Sequence, residues 1–235
     1  MTQEVTTKQA IDHNKIHTLL FDLDNTLYPK SCGLSAQVSK RITQYMSNIL
    51  QLPEEEVDKV RNHYYKTYGL TLKGLMQHHD VDINNYLDYV HGGLDLKPHI
   101  GKDEKLHTLL DSIRKDIKKI IFTNSDLAHS NRICKVLGID DQFDATLDYL
   151  EMRDFTKPHP VSYKMAMEKA GTTDAAGCVF FDDVVENLVE AKKAGIITVL
   201  VGATTPCDDP HVDYTINEIY EFQSIFPEIF SSTKQ

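Results

Sequence analysis

The stretch Leu19–Leu27 reads LLFDLDNTL, an apolar run that ends abruptly in Asp22 and Asp24, followed by Asn25 and Thr26. Desolvating an unpaired carboxylate costs several kcal/mol, so a buried strand ending on two acids needs a reason. Side chains alternate along a strand, which lets residues two apart face one side. Asp22 and Asp24 then converge on one small volume beyond the strand's carboxyl end, where a divalent cation and a phosphate would fit. The competing account is a strand followed by an Asx-type turn, since Asp and Asn are ordinary turn residues. This stretch alone leaves both readings open.

Composition narrows the classes. The chain has 235 residues, 41% of them hydrophobic, enough for one large domain or one domain with a modest insertion. No apolar run is long enough to span a bilayer, and MTQEVTTKQAIDHNK lacks the apolar core of a secretory signal. Residues 1–15 read as a frayed tail. Cys32, Cys134, Cys178 and Cys207 are far apart without CxxC pairing, so reduced thiols and a cytoplasmic location are expected. A formal charge of −10 argues against a nucleic-acid partner. It also requires any phosphate site to build its own positive potential from a metal, a lysine or helix N-termini.

Outward from the opening stretch, His17–Phe21 reads as a buried strand. Four helices follow with no strand between them: Gly33–Leu50, Glu54–Tyr68, Thr71–His79 and Asp82–His91. Pro53 and three glutamates suit a helix start, and Gly69 and Gly92–Gly93 suit helix ends. After Pro98 the pattern alternates. Helices are expected at Asp103–Lys115, Leu127–Leu137, Pro160–Ala170 and Val185–Ala194. Strands are expected at Lys119–Thr123, near Phe143–Thr146, at Cys178–Phe181 and at Ile197–Val201. Alternation with runs such as CVFF and ITVLV implies a parallel sheet covered on both faces. The first strand must join that sheet, so the helical stretch is an insertion. This gives an α/β core of residues 16–29 and 98–235 and a helical insert of residues 30–97. His78 and His79 diverge on a helix and read as surface residues. The Tyr220–Phe230 segment is apolar enough to pack on the core or to meet a second subunit, so a monomer or weak homodimer is expected.

Ligands of open parallel sheets bind at the strands' carboxyl ends. The first strand delivers Asp22 and Asp24 there, the second Thr123, Asn124 and Ser125, and CVFF delivers Asp182 and Asp183, with Lys157 in a loop between. Each has a mundane account: TNS caps a helix well, and a lone lysine is usually solvated. Jointly they do not, because two strand ends carrying paired acids repel each other unless a cation lies between them.

In that order DLDNT, the Thr of FTNS, Lys157 and FFDD resemble the four motifs of the haloacid dehalogenase (HAD) superfamily, from about His17 to Val201. The resemblance implies a Rossmann-like HAD core with an inserted helical cap of the first type (C1). It implies that Asp22 is a nucleophile forming an aspartyl-phosphate, and that Asp24 protonates the leaving oxygen and then deprotonates water. Thr123 and the Asn124 backbone would hold phosphate oxygens, and Lys157 would neutralise charge. Mg2+ would be held by the Asp22 carboxylate, the Asp24 carbonyl and Asp183, with Asp182 acting through a water or Lys157. Asn187, one turn past Asp183, is either a further polar residue of the motif or an exposed helix position. The dehalogenases lack an acid at the position of Asp24, so its presence favours phosphate chemistry.

FDLDNTLYP, HYYKTYGLTLKGLMQHHDVD and the FFDD…N…A…G run are further similar to the pyrimidine 5'-nucleotidase branch, with YYKxYGxxxxGL at Tyr64–Leu75 the distinctive part. This implies a nucleoside monophosphate substrate such as UMP or CMP. In the insert, Tyr68 and Lys73 are candidates to stack on or bond a base, against the alternative that tyrosines at helical spacing are core. The rivals are a phosphatase of a sugar phosphate, phosphoglycolate or lysophospholipid phosphate, a phosphomutase, or a non-catalytic binding protein on the same scaffold.

Overall fold

The computed structural model describes residues 11–231. Its centre is a sheet of six parallel strands: β1 (Thr18–Phe21), β2 (Lys118–Phe122), β3 (Ala145–Leu147), β4 (Cys178–Asp182), β5 (Ile197–Val201) and β6 (Tyr214–Ile216), in the order β3-β2-β1-β4-β5-β6. Every residue of β1, β4 and β5 is buried, as continuous apolar runs in a doubly covered sheet require. Alternation sends Leu19 and Phe21 into one core layer, with Phe181, Phe222 and Phe226, and Leu20 into the other, with Phe122, Tyr163 and Phe180. The chain runs outward from β1 to β3 and returns to β4, so the strand order reverses between β1 and β4. That crevice is where an open α/β sheet binds its ligand.

Register then fixes the site. Phe21 pairs with Ile121 on one side and with Phe181 on the other. Asp22 and Asp182, each one residue further on, therefore lie side by side, and the Asp22 amide donates to the Phe181 carbonyl at 2.9 Å.

Helices α1 (Leu34–Asn48), α2 (Glu54–Tyr68), α3 (Thr71–His78) and α4 (Ile83–Leu87) lie between β1 and β2 and share an apolar cluster that includes Tyr45, Met46, Val57, Leu75 and Val90. The last expected helix of this set is shorter. α4 gives way to a wider π-type turn at Asp88–Gly92, where the Gly93 amide returns to the Asp88 carbonyl. The remaining helices are α5 (Glu104–Asp111), α6 (Leu127–Leu137), α7 (Tyr149–Met152), α8 (Pro160–Lys169), α9 (Val185–Lys193) and α10 (Phe222–Ile225). α5 stops before Lys115 because Ile113 leaves the helix to form an antiparallel bridge with Phe230.

Two terminal expectations resolve here. Residues 1–10 of the expected frayed tail lie outside the described residues. Residues 13–15 are a capped turn rather than frayed chain, because the His13 ring packs edge-on to Phe226 at 4.9 Å. The C-terminal segment packs on the core, with Phe222, Phe226 and Ile229 fully buried. All four cysteines are free thiols. Among the described residues no helix is long and apolar enough to cross a membrane.

Candidate active site

Lys157 is the centre of charge. Its ammonium donates to Asp22 Oδ1 and to Asp182 Oδ2, each at 2.7 Å, with the lysine and Asp182 buried. The cation needed between two acidic strand ends is therefore supplied in part by the protein. Phe122 and Phe180 present their rings to the same ammonium at 5.0 and 5.1 Å, which excludes water from around the ion pair and adds cation–π attraction. Burial pushes the Asp22 carboxyl well up, the Lys157 charge draws it back, and the negative charges of Asp182, Asp183 and Asp24 raise it again.

One lysine does not neutralise the whole cluster. Carboxylate oxygens of Asp22, Asp182 and Asp183 all lie within 4.8 Å of one another. Burial and the neighbouring Asp182 push Asp183 up to about 6, the signature of acids short of positive charge. A set of hard oxygen donors packed this closely fits a small divalent cation such as Mg2+. The two acids of the last pair differ. Asp182 Oδ1 accepts from the Val184 amide at 2.8 Å and from Asn187 Nδ2 at 3.0 Å, while Oδ2 holds Lys157. Asp183 is partly exposed and accepts from Asn25 Nδ2 at 3.2 Å, so it keeps more free acceptor capacity. Asn187 is buried on this carboxylate and is not an exposed helix position.

Asp24 does not share the Asp22 environment that strand alternation suggests. β1 ends at Phe21, and the chain turns so that the Leu27 amide returns to the Leu23 carbonyl at 3.1 Å, with Asn25 in the left-handed region (φ 64°). The Asp24 side chain swings to a different set of donors: Tyr28 Oη at 2.5 Å, Ser125 Oγ at 2.6 Å and His129 Nε2 at 3.0 Å. Burial would raise this carboxyl, but the charge and hydrogen bond of His129, with the two hydroxyls, hold it well below the usual carboxylate range. Its side chain is outside the acidic cluster, so only its backbone carbonyl is left to serve a metal.

Thr123 is buried at the end of β2, its hydroxyl accepting from the Ser125 amide at 3.0 Å. Asn124 is engaged through its side chain, which clamps the backbone of Lys157.

A family model for haloacid dehalogenase-like hydrolases matches residues 16–195, a span that holds the acidic strand ends, Thr123, Lys157 and the helical insert. The chain belongs to the haloacid dehalogenase-like hydrolases. It is 30% identical over 190 residues to phosphate metabolism protein 8 of Saccharomyces cerevisiae, covering 75% of this chain but only 58% of the yeast protein. It is 25% identical over 237 residues to the glyceraldehyde 3-phosphate phosphatase of Methanocaldococcus jannaschii, covering 89% of this chain and 96% of that one. The HAD phosphatase of Thermococcus onnurineus superposes with a TM-score of 0.63 at 17% identity, over 89% of this chain and 97% of its own, which is a likeness of fold.

Beside this HAD site, the insert's tyrosines fall into three environments. Tyr64 is buried, stacked on His78 at 5.3 Å and bonded to His79 Nε2 at 3.0 Å. A Cβ at Gly74 would overlap the Tyr64 ring, so the tyrosine and glycine of the YYKxYGxxxxGL stretch form a close α2–α3 contact. Tyr68 is half-buried, with its hydroxyl on His78 Nε2 at 2.7 Å. Tyr65 is exposed, and after burial its hydroxyl is pushed up chiefly by the charges of Asp183, Glu186 and Asp182. It is the exposed ring of this stretch. Lys73 donates to the Asp154 carbonyl at 3.0 Å, tying α3 to the loop before Lys157.

The sequence reading did not find Tyr28 and His129. A faint signal exists: Ser125 and His129 are four residues apart across the start of α6, the spacing that places two side chains on one face.

Proposed function

We propose that this protein is a Mg2+-dependent phosphomonoester hydrolase that works through an aspartyl-phosphate, with pyrimidine nucleoside 5'-monophosphates as substrates. The observation that carries the chemistry is the division of the two acids. Asp22 sits against Lys157 beside Asp182 and Asp183, and Asp24 is held apart by three donors of its own.

In this reading the Asp22 carboxylate attacks phosphorus in line while the bond to the ester oxygen breaks. Lys157 offsets negative charge as it builds on the phosphoryl group, and Thr123 with the Asn124 amide orients its oxygens. Asp24 gives a proton to the departing alkoxide. It then takes one from the water that attacks the aspartyl-phosphate, releasing inorganic phosphate and restoring Asp22. The Asp24 carboxyl is held low in the free protein, so the proton it gives is taken from solvent as substrate binds, when the phosphate dianion raises its proton affinity by like-charge repulsion. Asp22, Asp183 and the Asp24 carbonyl would hold Mg2+, whose charge would stabilise the phosphoryl oxygens. The helical insert, residues 30–97, acts as the cap that receives the leaving group.

Support for a nucleotide comes from the resemblance of the YYKxYGxxxxGL stretch and from Tyr65, an exposed ring whose hydroxyl is influenced by the charges of Asp183, Glu186 and Asp182. A second reading, a phosphatase of small sugar phosphates, is favoured by the match to the archaeal glyceraldehyde 3-phosphate phosphatase over nearly its full length. Phosphate release with Mg2+ across UMP, CMP, AMP, triose phosphates and lysophospholipid phosphates separates them. Equal rates on UMP and glyceraldehyde 3-phosphate would remove the nucleotidase assignment. Asp22→Asn should abolish turnover in a folded protein, and retained turnover would remove Asp22 as nucleophile.

A further inference from the structure

Asp24 is braced from two layers of the molecule. His129 has no solvent-accessible side-chain surface, and its Nε2 faces Asp24 Oδ1 at 3.0 Å. A carboxylate only accepts, so Nε2 carries the hydrogen, while Nδ1 is buried without a partner. The His129 ring is stacked on His91, with centroids 4.4 Å apart and 27° between planes. His91 belongs to the π-type turn that leaves the helical insert, and its Nδ1 meets Asp126 Oδ2 at 2.5 Å. Asp126 caps α6, and its other oxygen accepts from the His129 amide at 2.9 Å. Arg132, one turn further along α6, donates to the carbonyls of His91 at 2.7 Å and Leu94 at 2.6 Å. One carboxylate thus fixes the His129 backbone and the His91 ring together, and the stacked rings leave His129 a single orientation.

We propose that His129, braced by His91 from the exit of the helical insert, is the positioning residue that aims the Asp24 carboxylate at the leaving oxygen. This rests on the reading of Asp24 as the group that protonates that oxygen. Tyr28 and Ser125 also bond Asp24, at 2.5 and 2.6 Å, from the turn after β1 and the start of α6, but neither is stacked on a ring of the insert. His129 is the donor held both through its backbone, by Asp126, and through its ring, by His91. A one-ångström error in a catalytic group costs on the order of a hundredfold, so the brace bears directly on rate. It also ties the return segment of the insert to the proton-transfer step, since the ring behind His129 belongs to that segment.

The test uses leaving-group basicity. An alkyl phosphate needs a proton on its departing oxygen, and p-nitrophenyl phosphate needs it far less. kcat/KM is measured for UMP and for p-nitrophenyl phosphate on the full chain with Mg2+. Asp24→Asn should lower the UMP value about a hundredfold or more and the p-nitrophenyl value much less. Equal losses there would overturn the acid role of Asp24 itself. Given the expected Asp24→Asn pattern, His129→Phe should show the same selective loss, about tenfold to a hundredfold on UMP. His91→Ala should follow in the same direction to a smaller extent. His129→Gln, which keeps a donor in the same cavity and guards against misfolding of the Phe variant, should recover part of the UMP rate. Asp24→Asn combined with His129→Phe should lose little beyond Asp24→Asn alone. Equal losses on both substrates for folded His129→Phe and His129→Gln, or no loss on either, would overturn the positioning role while leaving Asp24 as the acid.

Discussion

Asn124 and Lys157 exchange a reciprocal pair of hydrogen bonds: Asn124 Nδ2 donates to the Lys157 carbonyl at 2.9 Å, and the Lys157 amide donates to Asn124 Oδ1 at 3.0 Å. The side chain next to Thr123 thereby fixes the backbone from which the buried ammonium reaches Asp22 and Asp182. Asn124→Ala leaves a buried donor and acceptor without partners, which costs about 1–3 kcal/mol. The lysine is then free to drift. We expect kcat/KM for phosphate release to fall about tenfold to a hundredfold, with Tm lowered in parallel. Unchanged kinetics with a lowered Tm would confine Asn124 to a structural role.

That clamp marks the limit of what the sequence carries. The strand ends at Asp22, Thr123 and Asp182 were readable because alternation and apolar runs fix a parallel sheet, and a parallel sheet brings its carboxyl ends together. Asn124 was readable as a site residue, but only by its backbone. Its side chain depends on where the loop before Lys157 lands, which no local pattern specifies. The same holds for Asp24, whose partners Ser125 and His129 lie 101 and 105 residues away. Alternation also overreached by carrying Asp24 onto the Asp22 side, since the strand had already ended. Asn187 was ambiguous at its helical position and resolved only when α9 was placed against Asp182.

The acidic cluster makes the metal-free protein sensitive to pH in a defined direction. Burial and Asp182 push the Asp183 carboxyl up to about 6, and Asp22 is raised as well. A raised carboxyl binds its proton more tightly folded than unfolded. Its contribution to stability is therefore complete below the ordinary carboxylate range and is lost as pH rises through about 6. With metal chelated, Tm should fall over that window, and Asp183→Asn should flatten the fall. Mg2+ competes with the same protons, so its stabilisation should grow over the window. Thermal denaturation with EDTA and with Mg2+ measures both. A metal-free Tm that rises through the window in wild type and variant alike would contradict this account.

Gly74 tests the reading of the insert's distinctive sequence as a packing device. A methyl group there would meet the Tyr64 ring, which is itself buried and bonded to His79. Overpacking of this kind costs about 1–3 kcal/mol, and α2 and α3 would have to separate. Gly74→Ala should lower Tm by several degrees and speed limited proteolysis within the insert. Gly74→Ala with Tyr64→Leu should recover part of the loss if the clash is its source.

Tyr65 is the residue through which the insert could read a base. The residue is 51% exposed, and beyond burial the charges of Asp183, Glu186 and Asp182 push its hydroxyl up. Its ring is therefore not spent on packing, unlike that of Tyr64. Base–aromatic stacking is worth about 1–3 kcal/mol. Tyr65→Ala should accordingly raise KM for UMP about tenfold, with little change in kcat and little effect on a triose phosphate, which has no ring to stack. Tyr65→Phe keeps the stacking face and should retain the UMP KM. Steady-state kinetics on the two substrates decides the matter: a KM that rises equally for both would assign Tyr65 to the shape of the insert, and recognition of the base would then have to come from another residue.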